Sequence, residues 1–540
     1  MRKNDEVTGI VTALGCNFEG IVKVENTVCF IPYALVGEKV LFKVLKVQKG
    51  KDGKQIAFCK LIEVLTPADE RVRAKCKVFQ KCGGCALQHL KYKEQLKFKN
   101  DTVKECFRKI AGLTVNLKRT VKSQLEYNYR NKLQLPVRNT SNGNFIGFFA
   151  ENSHRIVPIC DCAIQKEWTS KIIETFNEFI IKYNVSCYNE ETKSGILRHI
   201  VVRSVDKSLL IVAVINGSYL PNVDKLIEML GQQFMKFSFF INENTGDTNV
   251  ILGEKFTLLY GAEKINTEEF GIKYSIGAQS FMQVNDDVKS RLYGDVVNLL
   301  QLTGDTVVID AYSGAGLMTA MFAKNCKKAI GIEIISEAVN SANELAKTNG
   351  LSQKMQNICA PCEEVLPSII EKERAENSNV ALVLDPPRKG CDRQVLEAVL
   401  KSKPDKIVYV SCSPQTLARD IGVLMGSLYY DGNELKKAEN YESDYEIISA
   451  QPYDMFPQTK HVETLVCLSK KTEKHINIDV EFGEGEGQLS LKKLQEELNE
   501  QKPKKKTTYK DIQAYIEEKY GFKVHTAYIA EVKRDLGLPM

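Results

Sequence analysis

The stretch Thr306-Val-Val-Ile-Asp310-Ala-Tyr312-Ser-Gly314-Ala-Gly316 decides the fold. Its first half is an unbroken apolar run closed by an acid, which predicts a strand buried on both faces, as in a parallel sheet. Its second half is a glycine loop that opens a helical segment. Glycine lets backbone approach a ligand at the carboxyl end of a strand, where open α/β sheets bind nucleotides. About twenty residues further on, Ala329-Ile-Gly-Ile-Glu333 repeats the pattern and ends in an acid placed to accept hydrogen bonds from ribose hydroxyls. The dinucleotide fingerprint G-x-G-x-x-G uses a third glycine to admit the pyrophosphate. Here that position is Thr319, which favours a ligand without one, such as S-adenosylmethionine.

Two further strands end on chemistry. Ala381-Leu-Val-Leu-Asp385-Pro-Pro-Arg388 fixes an acid at a strand end beside two prolines that stiffen the following loop. Lys406-Ile-Val-Tyr-Val-Ser-Cys412-Ser-Pro414 sets a cysteine on the same sheet edge. A thiolate there suits addition to C6 of a uracil, which makes C5 nucleophilic enough to take a methyl group from a sulfonium. A base must then remove the C5 proton. Glu463, in Phe456-Pro-Gln-Thr-Lys-His461-Val-Glu463-Thr, begins the last predicted strand, with His461 two residues earlier on the same face.

Outward from this core, length and texture divide the chain. At 540 residues it exceeds one natural hydrophobic core. Residues 1–65 alternate apolar and polar positions between glycines and predict a small OB-like β-barrel; lysines 39, 43, 46, 49, 51 and 54 crowd its second half. Residues 66–270 read as an α+β middle domain, with a helix over 92–110 and another over 168–183. Residues 271–470 carry the strand and helix alternation of an α/β, Rossmann-like domain. Residues 471–540 read as an acidic glycine-containing linker, a basic cluster at 502–506 and a helical extension. There Thr508 and Asp511 resemble a capping box, and Ile512, Tyr515, Ile516 and Tyr520 recur at helical spacing.

The net charge of +6 permits nucleic acid only through local basic clusters. No apolar run is long enough to span a bilayer, and the first residues mix both charge signs, so we expect a cytoplasmic monomer with no membrane partner. In a reducing compartment most of the sixteen cysteines are core residues, and a tight cluster of them is metal-binding or catalytic.

Taken together, Ser280-Phe-Met-Gln283-Val-Asn285, Asp310 to Gly316, Asp385-Pro-Pro-Arg388, Ser411-Cys412-Ser-Pro414-Gln-Thr-Leu-Ala-Arg419-Asp420 and the segment from His461 to Glu463 resemble the RNA 5-methyluridine methyltransferases. The nearest resemblance is to the bacterial 23S ribosomal RNA uracil-C5 methyltransferases, over roughly residues 1 to 470. The resemblance implies a class I methyltransferase fold, Cys412 as nucleophile and Glu463 as base, with Gln283, Tyr312, Glu333 and Asp385 lining the S-adenosylmethionine pocket. It also implies that the N-terminal barrel is an RNA-gripping TRAM domain. Leu317 departs from relatives that carry Asn there, and Pro361 and Cys362 fall where an acidic stretch is common.

Cys76, Cys82 and Cys85 form C-x5-C-x2-C, a spacing that lets thiolates converge on one centre. The resemblance to members with a [4Fe-4S] cluster points to Cys162 as the fourth ligand. Cys160 stands close by in sequence, and zinc is the chemical alternative. In the middle segment, Glu126-Tyr-Asn-Tyr129-Arg130-Asn-Lys132, Arg138 and Leu197-Arg198-His199-Ile-Val-Val-Arg203 interleave basic and aromatic residues, a pattern suited to RNA. The expected reaction is methylation of C5 of a uridine in 23S ribosomal RNA. The competing readings are a transfer RNA uridine-C5 enzyme, an RNA cytosine-C5 enzyme and a non-catalytic RNA-binding ribosome-assembly factor. A radical S-adenosylmethionine enzyme is disfavoured because its usual C-x3-C-x2-C loop is not present.

Overall fold

The computed structural model describes residues 1–471 except 51, 52, 54 and 377, and these form one compact unit. The linker, basic cluster and helical extension expected over 471–540 lie outside the described residues from 472 onward.

Six strands between Glu6–Ile10 and Gln55–Thr66 make the N-terminal sheet. In Thr27–Pro32 every second residue is buried, which is the strand period for one face on a core. That core holds Val22, Cys29, Ile31, Val40, Phe42, Val44 and Ala57. The long strands Lys39–Lys49 and Gln55–Thr66 slip register three times along their shared edge, and such bulges bend a sheet around its own core. The end strands Glu6–Ile10 and Ala13–Leu14 are separated by two residues, the first pairing with Lys39–Lys49 and the second with Glu19–Val24, and the Thr12 amide donates to the Ile21 carbonyl at 2.9 Å, so one bent run of chain touches both edges of the sheet. Glu38, fully buried, ties it to the next segment by accepting from Arg71 at 2.5 and 2.8 Å and from the Leu35 amide at 2.8 Å.

The middle sheet has seven strands, with Leu197–Val205 and Ser208–Ile215 near its centre. Ser208–Ile215 is almost wholly apolar and buried on both faces, as a central strand must be. Helices Trp168–Lys182 and Val223–Gln233 bury Ile172, Phe176, Phe179, Leu226 and Leu230 against one face.

The catalytic sheet comprises β1 (Thr306–Asp310), β2 (Lys328–Glu333), β3 (Met355–Cys359), β4 (Asn379–Leu384), β5 (Lys406–Ser411), β6 (Tyr445–Tyr453) and β7 (Glu463–Lys470). Their spatial order is β3-β2-β1-β4-β5-β7-β6, with β1 to β5 parallel and β7 antiparallel to β5. Val307 and Ile309 join one core and Val308 the other, so helices must cover both faces. Each such fully buried aliphatic side chain stabilises by roughly 1.5–3 kcal/mol.

One helix sits elsewhere than the sequence grouping implies. Tyr92–Cys106, continued by a π-helical turn at Phe107–Ala111, buries Val103, Phe107 and Ala111 with Leu417 and Ile421 on the catalytic sheet. Its anchors are remote in sequence. Lys99 and Asp454, both fully buried, form an ion pair, Lys99 also donates to the Phe456 carbonyl at 3.0 Å, and Gln95 and Gln458 exchange hydrogen bonds.

Candidate active site

The loop after β1 is shaped for close approach. Gly316 has φ +84°, and a Cβ there would stand 2.7 Å from Met355 Cε and 2.8 Å from Ala342 Cβ, so only glycine fits. Glu333, at the end of β2, accepts from the amides of Gly314 and Ile335, each at 3.0 Å. That clamp fixes both oxygens and leaves a lone pair on each for hydroxyl donors. Asp310 is fully buried. Its Oδ2 accepts from Thr319 at 2.7 Å, while Oδ1 has no partner among the described residues, and burial pushes its carboxyl up to about 6. A clamped acid, an orphaned carboxylate oxygen and a side-chain-free cradle fit a ribose-bearing cofactor. Gln283 lies three residues before the helix Asp286–Leu300. Its carbonyl accepts from Asn131 at 3.0 Å, and Asn285, two residues on, caps Asp286–Leu300.

Tyr312, half-buried in the loop after β1, packs its ring against the core, and burial first, then the neighbouring Cys391, raises its hydroxyl strongly.

Cys412 and Glu463 meet where β5 ends and β7 begins. Ser411 pairs with Thr464 in this antiparallel ladder, so the register brings Cys412 opposite Glu463. Glu463 is only 4% exposed; burial first, then the charge of Asp385, pushes its carboxyl up to about 8 against the pull of Arg388. Burial and the Asp310 charge push Asp385 up to about 7. Cys412 is pushed up to about 11 by burial, Glu463 and Asp385, with Arg388 opposing. Two carboxyls, a thiol and a guanidinium thus share one field and titrate as a set. His461 precedes β7, stands edge-on to Phe456 at 5.8 Å, and is driven down to about 4 by burial and by the cations Arg388, Lys99, Lys460 and Arg130. It is neutral at physiological pH. Tyr293, on Asp286–Leu300, lies in the field of Asp385, Asp310, Glu269 and Glu463, and burial raises its hydroxyl. Nothing in the sequence beyond an aromatic on a helix marked it.

Burial raises the Cys85 thiol to about 12 and that of Cys162 to about 11. Cys85 feels Cys162, Cys82 and Cys76, and Cys162 feels Cys82 and Cys76. Cys160 is exposed and is not among these neighbours. Among the described residues, however, no three His, Cys, Asp or Glu side chains close into a metal-binding group. The expected four-thiolate centre is therefore a gathering of sulfurs and not a formed coordination shell, because buried, protonated thiols do not attract one another.

Two of the expected RNA-facing arginines, Arg138 and Arg198, are held by partners inside the protein. Arg138 donates to the carbonyls of Val137 and Arg198, both at 2.9 Å, and pairs with Glu190. Arg198 donates to the carbonyls of Asn244 and Gly246 at 2.5 and 3.0 Å. Arg138, Arg198, His199 and Arg203 are all buried.

The sequence profile described as tRNA (Uracil-5-)-methyltransferase matches residues 91–471. An uncharacterized RNA methyltransferase of Clostridium tetani is 38% identical over 477 residues, covering 88% of this chain and 98% of its own length. One from Halalkalibacterium halodurans is 37% identical over 476 residues, covering 87% and 98%. Among solved structures, the Pyrococcus abyssi tRNA (uracil-54, C5)-methyltransferase in complex with S-adenosyl-L-homocysteine matches with a TM-score of 0.65 at 25% identity, over 85% of this chain and 99% of that one. The chain belongs to the RNA (uracil-5-)-methyltransferase family and is an S-adenosylmethionine-dependent RNA methyltransferase.

Proposed function

We propose that this enzyme methylates C5 of a uridine in 23S ribosomal RNA, with Cys412 as nucleophile and Glu463 as base. The observation that carries this reading is the β5–β7 register, which sets a strand-end cysteine opposite a buried carboxyl. S-adenosylmethionine, when bound, supplies an electrophilic methyl group. Gln283, Tyr312, Glu333 and Asp385 would hold it.

Cys412, once deprotonated, adds through sulfur to C6, and the ring's electron pair moves to C5 and the C4 oxygen. C5 then bonds the methyl carbon as that carbon's bond to sulfur breaks. Glu463 takes the C5 proton, the pair left behind re-forms the C5–C6 double bond, and Cys412 leaves as thiolate. The burial that raises the Glu463 carboxyl to about 8 makes its ionised form a stronger base than an exposed carboxylate, and it is that ionised form that takes the C5 proton; among the described residues Arg388 is the cation felt at both reacting groups. A carboxylate in this position separates uridine from cytosine chemistry, which must handle an exocyclic amine.

The N-terminal sheet serves as the TRAM-like grip on RNA, with Lys39, Lys46 and Lys49 exposed along one long strand, residues 66–270 as the substrate-positioning segment and 271–470 as the methyltransferase domain. Cys76, Cys82, Cys85 and Cys162 would hold a [4Fe-4S] cluster, whose ligands stand around a cube of atoms and not one ion. Their mutual proximity supports this, and its part is structural. The protein works as a cytoplasmic monomer. Among the described residues no helix is long and apolar enough to cross a membrane.

Transfer RNA is the second reading, favoured by the likeness to the Pyrococcus enzyme. The test is 5-fluorouridine RNA, whose C5 carries no removable proton. Wild type should form a covalent adduct mapping to Cys412, and Cys412→Ala should form none while still binding S-adenosylmethionine. An adduct with that variant refutes the assignment.

A further inference from the structure

Among the described residues Arg203 has no counter-ion. It is 2% exposed, and its Nε and Nη1 find no acceptor among the described residues. Directly opposite it in the antiparallel pairing of Leu197–Val205 with Lys132–Thr140 stands Lys132, and like charges facing each other across strands are destabilising. Burial pushes Arg203 down to about 10. Burial, Arg203 and Arg130 push Lys132 down to about 8, with no acid offsetting either. Cations buried in proteins are ordinarily paired. Arg138 and Arg198, on the same sheet, also leave Nε without an acceptor, but each donates through its Nη atoms to carboxylate or carbonyl oxygens, whereas Arg203 makes no such bond among the described residues.

The place adjoins the active site. Val201 and Val205, which flank Arg203 on its face, pack with Ile276, Ala278 and Met282, the run that leads into Gln283. Asn131, beside Lys132, donates to the Gln283 carbonyl at 3.0 Å and to Asp286 at 2.7 Å. Arg130 and Arg388 both act on His461, and Arg388 acts on Cys412 and Glu463. A line of positive charge thus runs from Arg203 through Lys132 and Arg130 to the nucleophile. Lys132 and Arg130 are partly open to solvent, so an anion reaches them without the sheet opening.

We infer that Arg203, Lys132 and Arg130 hold one backbone phosphate of the RNA beside the flipped-out target nucleotide. A phosphate satisfies several donors at once and presents no sequence information, which suits a grip that sets register while chemistry happens elsewhere. This rests on RNA as the substrate, but not on which base is methylated.

The test compares Lys132→Gln and Arg203→Met with wild type, using unmodified 23S ribosomal RNA and unmodified transfer RNA made by transcription. Binding is followed across salt concentration, S-adenosylmethionine affinity by calorimetry, and methyl transfer by its separate kcat and KM. Each variant should lower the slope of log affinity against log salt by about 1, and raise the RNA KM several-fold with kcat and cofactor affinity intact. Arg203→Met should also melt higher, since it removes an unpaired buried charge. An unchanged salt slope in both variants overturns the subsite. So does lost cofactor affinity with RNA binding intact, which would assign the cations to the cofactor's carboxylate. Because the slope requires no turnover, an altered slope without 5-methyluridine formation would sink the reaction and leave the phosphate site standing. Should Arg203→Met fail to fold, the partly exposed Lys132→Gln and Arg130→Gln carry the test.

Discussion

Replacing Glu463 by glutamine should make the protein more stable, and more so at high pH. Glu463 is 4% exposed and its carboxyl is raised from 4.5 to about 8, chiefly by burial. A group whose folded value lies above its unfolded one stabilises fully below the unfolded value and loses that contribution as pH rises toward the folded one. At pH 7 the folded chain therefore holds a proton that the unfolded chain has released. Each pH unit between 4.5 and neutrality costs about 1.36 kcal/mol, so the native carboxyl costs about 3 kcal/mol at pH 7. Glutamine keeps the shape without the charge. Melting temperatures of the two proteins should coincide near pH 4.5 and separate by several degrees near pH 8, with Glu463→Gln the higher. The same variant should trap RNA covalently on denaturing gels, because the C5 proton stays in place. Equal melting temperatures at both pH values, or a less stable variant at pH 8, would refute the reasoning that this carboxyl is desolvated for its work.

Gly316→Ala should weaken S-adenosylmethionine binding about tenfold or more. A side chain at positive φ costs on the order of 1–2 kcal/mol before its clashes with Met355 and Ala342 count, and calorimetry reads the loss. Lys99→Met strands Asp454 as a buried unpaired charge and should cost about 3–5 kcal/mol; Lys99→Met with Asp454→Leu should recover most of the melting temperature. Cys162→Ser should abolish iron and acid-labile sulfide in anaerobically purified protein, whereas Cys160→Ser should keep both. Equal iron in the two variants would remove Cys162 from the cluster.

Four strands of the catalytic sheet were legible because Thr306–Asp310, Lys328–Glu333, Asn379–Leu384 and Lys406–Ser411 are short, largely apolar runs with a polar residue at or just past the end. Thr306–Asp310 falls where expected, and Glu463 does begin the last strand. What sequence could not show are contacts made across the chain. The helix at Tyr92–Cys106 has an amphipathic pattern that fits either neighbour, and only Asp454 and Gln458, more than three hundred residues away, choose the catalytic sheet. Arg138 and Arg198 looked like RNA contacts because arginines in a strand usually face water. Here the carbonyls of Asn244 and Gly246 hold Arg198 inside, and the carbonyls of Val137 and Arg198 together with Glu190 hold Arg138. Arg203 was legible as a basic residue but not as an unpaired one.

The most direct test of uridine-C5 methylation in 23S ribosomal RNA is mass spectrometry of nucleosides from 23S and transfer RNA, in cells lacking this gene and in cells with it restored. The account predicts that 5-methyluridine disappears from 23S RNA and returns with the wild-type gene but not with Cys412→Ala. Unchanged 5-methyluridine in 23S RNA, or its loss from transfer RNA alone, would contradict it.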